Sequence, residues 1–222
     1  MYLIIVGAGS IGRQLIALAA QQQNDVVVIE KDSNVAEIAA ANYDCLVIND
    51  DATVTDMLEE AGAEQADAII STIDEDAINI MVMLLAQELE IPSLVSVVHN
   101  EEHMEVFRQI DVNVIENPQH LIAEYLYRAV QRPSVKGFMH LGDSAEIFEI
   151  TATRGSEIAG KTPRKAGEIG ALDEDILIVA IQRDRTVITP RGETEIRGRS
   201  RHGVLEAGIR AGGHGAVQGV GR

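Results

Sequence analysis

Residues 2–12, Tyr-Leu-Ile-Ile-Val-Gly-Ala-Gly-Ser-Ile-Gly, join a short apolar run to a Gly-x-Gly-x-x-Gly spacing. Eighteen residues after Gly12 an acid, Glu30, closes a second apolar run, Val26-Val27-Val28-Ile29. That combination points to a buried parallel strand turning sharply into a helix. Gly7 permits the tight turn, Gly9 lets the backbone approach a pyrophosphate, and Gly12 lets the helix sit close to the sheet. The helix N-terminus then presents free N–H groups and the positive end of its dipole to the phosphates. A carboxylate at the end of the second strand is placed to accept hydrogen bonds from both ribose hydroxyls, which favours NAD(H) over its 2′-phosphorylated form. The glycine spacing alone is weak evidence; strand, helix and acid together predict a dinucleotide site.

The rest of the first half supports that frame. Apolar runs at 3–6, 26–29, 45–48, 68–70, 94–98 and 112–115 are short, rich in β-branched residues and nearly continuous, as expected for strands covered on both faces. Helical stretches alternate with them at 11–22, 35–42, 54–61, 77–89, 104–110 and 121–130. The order predicts an α/β fold, a Rossmann-like doubly wound parallel sheet of six strands. Ser33, Thr53 and Asn117 are candidate N-caps, Pro118 suits a first turn, and Gly62 a helix end. Residues 131–137 break the alternation and read as a hinge. Beyond it 146–151 alternates, 176–181 is a further strand, and 186–196 reads as strand, turn, strand. A smaller α+β domain follows from that pattern. The expected division is 1–132 for the nucleotide-binding domain, 133–137 for the hinge and 138–197 for the second domain. Residues 198–222 form a tail rich in glycine and arginine (Arg199, Arg201, Arg210 and Arg222 against Glu206 alone), in which no strand is expected.

Composition narrows the function. The formal net charge is −17, and lysine occurs only at Lys31, Lys136, Lys161 and Lys165. A surface this acidic suits a high-salt cytoplasm, where screening relieves self-repulsion, and it argues against DNA or RNA, whose phosphates demand basic partners. The single Cys45 cannot form an internal disulfide and reads as a small core residue. No leader and no apolar run long enough to span a bilayer is evident, so the chain is expected in the cytoplasm, with any membrane association made through a partner. His99 and His103, or Asp74 with Glu75 and Asp76, could be imagined around a metal. Acids at a helix start are expected from its dipole alone, and no metal site is assigned. Met81, Met83, Leu84 and Leu85, with Ile78 and Ile80, form an apolar stripe for core or a subunit interface.

The opening run, together with Val-Ile-Glu-Lys-Asp, Val-Ile-Asn-Asp-Asp-Ala-Thr, Leu-Glu-Glu-Ala-Gly-Ala-Glu-Gln-Ala-Asp-Ala and Asn-Val-Ile-Glu-Asn-Pro at 113–118, resembles the N-terminal domain of the TrkA family. These are cytosolic regulators of potassium transport, also called RCK or KTN domains. Ile-Thr-Pro-Arg-Gly-Glu-Thr-Glu-Ile at 188–196 resembles the family's C-terminal domain. The resemblance implies a regulatory, non-enzymatic subunit of a Trk/Ktr-type membrane potassium transporter, held at the inner face of the membrane by that partner, and a homodimer or larger ring. It implies NAD(H), or ATP or ADP, as ligand. Gly7, Ala8, Gly9, Ser10, Ile11 and Gly12 would hold the phosphates and Glu30 the ribose. Asp50, Asp51 and Ala52 would lie at the adenine edge, and Thr72, Ile73, Asp74 and Val98 along the rest of the pocket. By the same resemblance the helix at 121–130 mediates dimerisation, with Ile122, Tyr125 and Leu126 at the interface. Ser10 and Val97 stand where arginines occur in other members, which removes cations that clamp phosphates. A terminal apolar strand, usual in the second domain, is not expected from this tail.

Two other readings compete. The same fingerprint serves NAD-dependent oxidoreductases, but His140, Lys161 and Lys165 form no coherent acid–base constellation. A free-standing nucleotide sensor would need no transporter. One consequence of the charge is directly measurable: the melting temperature should rise as KCl is raised from about 0.15 M to about 2 M, because screening relieves acidic self-repulsion. A melting temperature independent of salt would contradict the high-salt reading.

Overall fold

The computed structural model describes residues 1–115, 117–131, 135–141, 145–153, 155–173, 175–183, 186–198 and 205–211; for 114–115, 136–141, 145–146 and 205–211 it describes the backbone alone. Two compact units are present, Met1–Ala123 and Glu124–Arg222.

The first unit alternates strand and helix: β1 (Tyr2–Val6), α1 (Ser10–Gln21), β2 (Asp25–Ile29), α2 (Ser33–Asn42), β3 (Leu46–Ile48), α3 (Thr55–Glu60), β4 (Ala68–Ser71), α4 (Asp76–Glu88), β5 (Leu94–Val97), α5 (Met104–Gln109), β6 (Asn113–Ile115) and α6 (Pro118–Gln131). All six strands are parallel, in the order β3-β2-β1-β4-β5-β6. The chain therefore leaves β1 toward one edge and returns to β4 on its other side. That reversal opens a crevice at the carboxyl ends of β1 and β4, where open sheets bind ligands.

The two-residue period of a strand divides its side chains between faces. Ile4 and Val6 of β1, with Val27 and Ile29 of β2, join Leu58, Val82, Met83 and Phe107 in one core. Leu3 and Ile5, with Val26 and Val28, join Ile16, Ala19 and Ala39 in the other. Burial on both faces explains the near-continuous apolar runs. Each fully buried isoleucine contributes about 1.5–3 kcal/mol relative to exposure.

Local signals differ from expectation at two helix starts. Asp32, not Ser33, caps α2, its Oδ1 accepting from the amides of Asn34 and Val35 at 2.9 and 3.1 Å. Thr53 caps nothing, because its amide and hydroxyl both donate to Asp51 Oδ1. Asn117 does cap α6, accepting from the amides of Gln119 and His120. Gly62 takes a left-handed conformation, φ +80°, just past α3.

The second unit holds an antiparallel sheet of β7 (Val135–Leu141), β8 (Ala145–Thr151), β9 (Ile176–Arg183), β10 (Thr186–Ile188) and β11 (Leu205–Ala211), in the order β10-β9-β11-β8-β7. With α7 (Pro163–Glu168) it forms an α+β unit whose core is Ala152, Ile158, Ala166, Ile178, Ile181 and Ile196. Three expectations are corrected. Strand β7 begins at Val135, inside the expected hinge, and the division into units falls within α6 instead. Ile196 makes a single bridge to Lys161 rather than a strand. The tail contributes β11, paired between β8 and β9. Its signal is the alternation of Leu205, Ala207, Ile209 and Ala211 with Glu206, Gly208 and Arg210, obscured by flanking glycines. Arg199, Arg201 and Arg222 lie outside the described residues, as do the side chains of Lys136, His140, Glu206 and Arg210. Among the described residues no helix is long and apolar enough to cross a membrane.

The turn from β1 to α1 positions the site. Gly7 has φ +89°, and its amide donates to Ile29 O across the sheet at 2.9 Å. A Cβ on Gly12 would lie 2.0 Å from the Gly7 carbonyl oxygen, so the first turn of α1 rests directly on the loop. Gly12→Ala should therefore lower unfolding stability by about 1–3 kcal/mol through overpacking, measured by urea denaturation.

Candidate functional site

The carboxyl ends of the first five strands bring together Gly7 to Ser10, Glu30 and Lys31, Asp50 and Asp51, Thr72 to Asp74, and Val98 with His99. Helix α1 starts at Gly9 with no capping side chain and no acid in its first turn. Every other described α-helix of this unit has one or the other: Asp32 for α2, Asp56 for α3, Asp76 for α4, Glu105 for α5 and Asn117 for α6. The orphan N–H groups and positive dipole end of α1 are thus left unanswered by the protein. Gly9 and Ser10 are exposed, Ile11 is half-buried, and a Cβ on Gly9 would meet nothing within 4 Å.

Glu30 ties the first two loops together. Its Oε2 accepts from the Ala8 amide at 2.7 Å and its Oε1 from the Asp32 amide at 2.8 Å. An ionised carboxylate offers about four acceptor sites, so roughly two remain for further donors. Beside it, Lys31 Nζ lies 2.7 Å from Asp51 Oδ2, and the Asn49 amide donates to the carbonyls of Glu30 and Lys31. The hydrogen bond from Lys31, with the donors of Thr53, holds the Asp51 carboxyl down to about 2, and Asp51 in turn raises Lys31. Asp50 is exposed, and its Oδ1 accepts from the Asp51 amide.

On the β4 side Thr72 is buried, and its hydroxyl lies 3.2 and 3.1 Å from the carbonyl oxygens of Val6 and Gly7, to which it donates. It supports the glycine turn from behind. Ile73 is half-buried and abuts Gly7, while Asp74 is exposed. Ala8, Ala52 and Val98 are buried in the cores. Of the residues named from sequence, the buried side chains of Ala8, Ala52, Thr72 and Val98 lie beneath the crevice. Gly9, Ser10, Ile11, Glu30, Asp50, Asp51, Ile73 and Asp74 border it.

Sequence spacing did not reveal the polar network at the ends of β4 and β5. Buried Asn79 accepts from the Ser71 hydroxyl and donates to the carbonyls of Ile73 and Val97. Asp76, its side chain 4% exposed, accepts from the amides of His99 and Asn100 and lies 2.8 Å from His103 Nδ1. Burial works against its charge, but these donors outweigh burial and hold the carboxyl below its usual range. The two histidines therefore serve different partners. Among the described residues no group of three or more His, Cys, Asp or Glu is arranged to hold a metal ion.

Asp51 yields a pH test with a definite sign. A carboxyl depressed in the folded state adds stability above its unfolded value, near 3.8, and loses it as pH falls through about 2. The wild type should be more stable than Asp51→Asn at neutral pH. That difference should close between about pH 4 and pH 2, followed by urea denaturation at each pH.

The TrkA-N domain family model matches residues 3–118. The chain is 31% identical over 206 residues to a Trk system potassium uptake protein TrkA homolog of Methanothermobacter thermautotrophicus, covering 92% of this chain and 93% of that one. It is 29% identical over 206 residues to a protein of the same description from Pyrococcus abyssi, covering 88% of each. Among solved structures it is similar in fold to the GsuK channel bound to NAD, with TM-score 0.65 and 22% identity over 95% of this chain; it spans 37% of that channel chain. With the domain model matched over residues 3–118 and a relative 31% identical across 92% of this chain, the chain belongs to the TrkA family of Trk-system potassium uptake proteins.

Proposed function

We propose that the chain is a regulatory, nucleotide-binding subunit of a Trk/Ktr-type potassium transporter, and that NAD(H) is its ligand. The observation that carries this reading is the uncapped start of α1 beneath the open face of Gly9, with the Glu30 carboxylate held beside it. A pyrophosphate would take the orphan amides of α1, and the two ribose hydroxyls would take the remaining acceptor sites of Glu30. With Ser10 and Val97 in place of cations, and Asp50, Asp51 and Asp74 around the rim, the two charges of a dinucleotide suit this crevice better than the larger charge of ATP. The NAD-bound GsuK channel supports the choice of ligand through its shared fold.

Signal output is assigned to α6. None of its residues is buried within the chain, and Ile122, Leu126 and Val130 are 60%, 61% and 81% exposed, with Tyr125 at 50%. A second copy covering this face would give a dimer, and rings of dimers would follow at the inner face of the membrane beneath the transporter. Nucleotide would act by population shift, favouring one subunit arrangement by no more than its differential affinity.

Calorimetric titration with NADH, NAD, ATP and ADP, with light scattering on each mixture, tests the reading. The expected result is saturable NADH binding, a change in assembly mass and no oxidation of NADH. Glu30→Ala should weaken NADH by at least about tenfold, or about 1.4 kcal/mol. Gly9→Ala should weaken NADH binding by at least about tenfold while leaving the melting temperature unchanged, since a Cβ there meets no protein atom within 4 Å. Retained binding in both variants would overturn the assignment.

A further inference from the structure

We propose that His99 is a positioning residue that transmits occupancy of the crevice to α6; the proposal rests on the nucleotide-binding reading above. The His99 side chain, 18% exposed, lies between the segment after β4 and the first turn of α6. Its Nε2 is 3.2 Å from the Ile73 carbonyl oxygen and 3.9 Å from the Asp74 carboxylate. Its Nδ1 is 3.2 Å from Gln119 Oε1. A carbonyl only accepts, so Nε2 carries a proton. The Gln119 amide presents either its oxygen or its NH2 group, so the second contact persists whether or not Nδ1 is protonated.

The backbone of His99 is anchored separately. Its amide donates to Asp76 Oδ1 at 2.8 Å, and its carbonyl accepts from Asn117 Nδ2 at 2.6 Å. Asn117 is also the cap of α6, so the start of that helix is registered on His99 through both backbone and ring. At the other end Ile73 packs against Gly7, the residue that turns the phosphate loop. A continuous series of contacts thus runs from Gly7 through Ile73 and His99 to Gln119. A ligand that shifts the loop after β4 moves the Ile73 carbonyl, the ring follows its acceptor, and α6 is re-aimed at its first turn. Gln119 is not among the residues that border the crevice, so its contact with His99 affects response rather than affinity.

The experiment is amide hydrogen exchange over residues 121–131 of the full chain, with and without saturating NADH, in wild type, His99→Ala and Gln119→Ala. Gln119 is exposed, so its substitution leaves the core untouched. Wild type should show an NADH-dependent change in α6 protection. Both variants should lose that change, Gln119→Ala while binding NADH within about threefold of wild type. An α6 response equal in wild type and both Ala variants overturns the relay alone, as does wild-type binding with no α6 response. Failure of the wild type to bind NADH overturns the nucleotide reading and the relay with it.

Discussion

No side chain separates the first turn of α1 from the carbonyl of Gly7, and the geometry of the crevice depends on that contact. Bringing helix and loop this close puts the helix axis over the ends of β1 and β4, where its free amides face outward. It also lets the Thr72 hydroxyl reach two carbonyls of the turn from beneath. Glu30 then joins the β1 loop to the β2 loop by accepting one amide from each. The protein's own donors orient its carboxylate, so the acceptor is in place before any ligand arrives. Preorganisation of this kind reduces the ordering cost of binding.

The first unit was largely legible because its determinants are local and periodic. Continuous β-branched runs mark strands buried on two faces, and the six runs coincide with the six strands to within one or two residues. The fingerprint and Glu30 were legible for the same reason, since their spacing follows from a strand and a helix of ordinary length. Cap identities were less so. Asp32 and Ser33 are adjacent and chemically similar at a helix start, and only the backbone decides between them. Thr53 lost its expected role to Asp51, a competitor two residues away that also engages Lys31.

The polar network was not legible at all. Asp76 sits at a helix start, where dipole logic explains an acid without reference to anything else, yet it holds the backbone of a loop more than twenty residues away. His99 and His103 have a spacing that suggests one shared ligand, whereas one ring meets Ile73 and Gln119 and the other meets Asp76. Long-range pairings of this sort carry no periodic signature. In the second unit the same limit hid β11, whose alternating residues are few and whose partners, β8 and β9, are distant in sequence.

The strand order of that second sheet has a consequence for how the chain is made. Strands β8 and β9 leave the ribosome well before β11, the strand that lies between them. Until residues 205–211 arrive, each presents a row of unpaired amides and carbonyls, a template for a neighbouring chain as much as for its own. Closing the sheet over such a sequence distance is intrinsically slow. Nascent copies of the chain thus pass through an interval in which the wrong strand from another copy competes for the place of the right one.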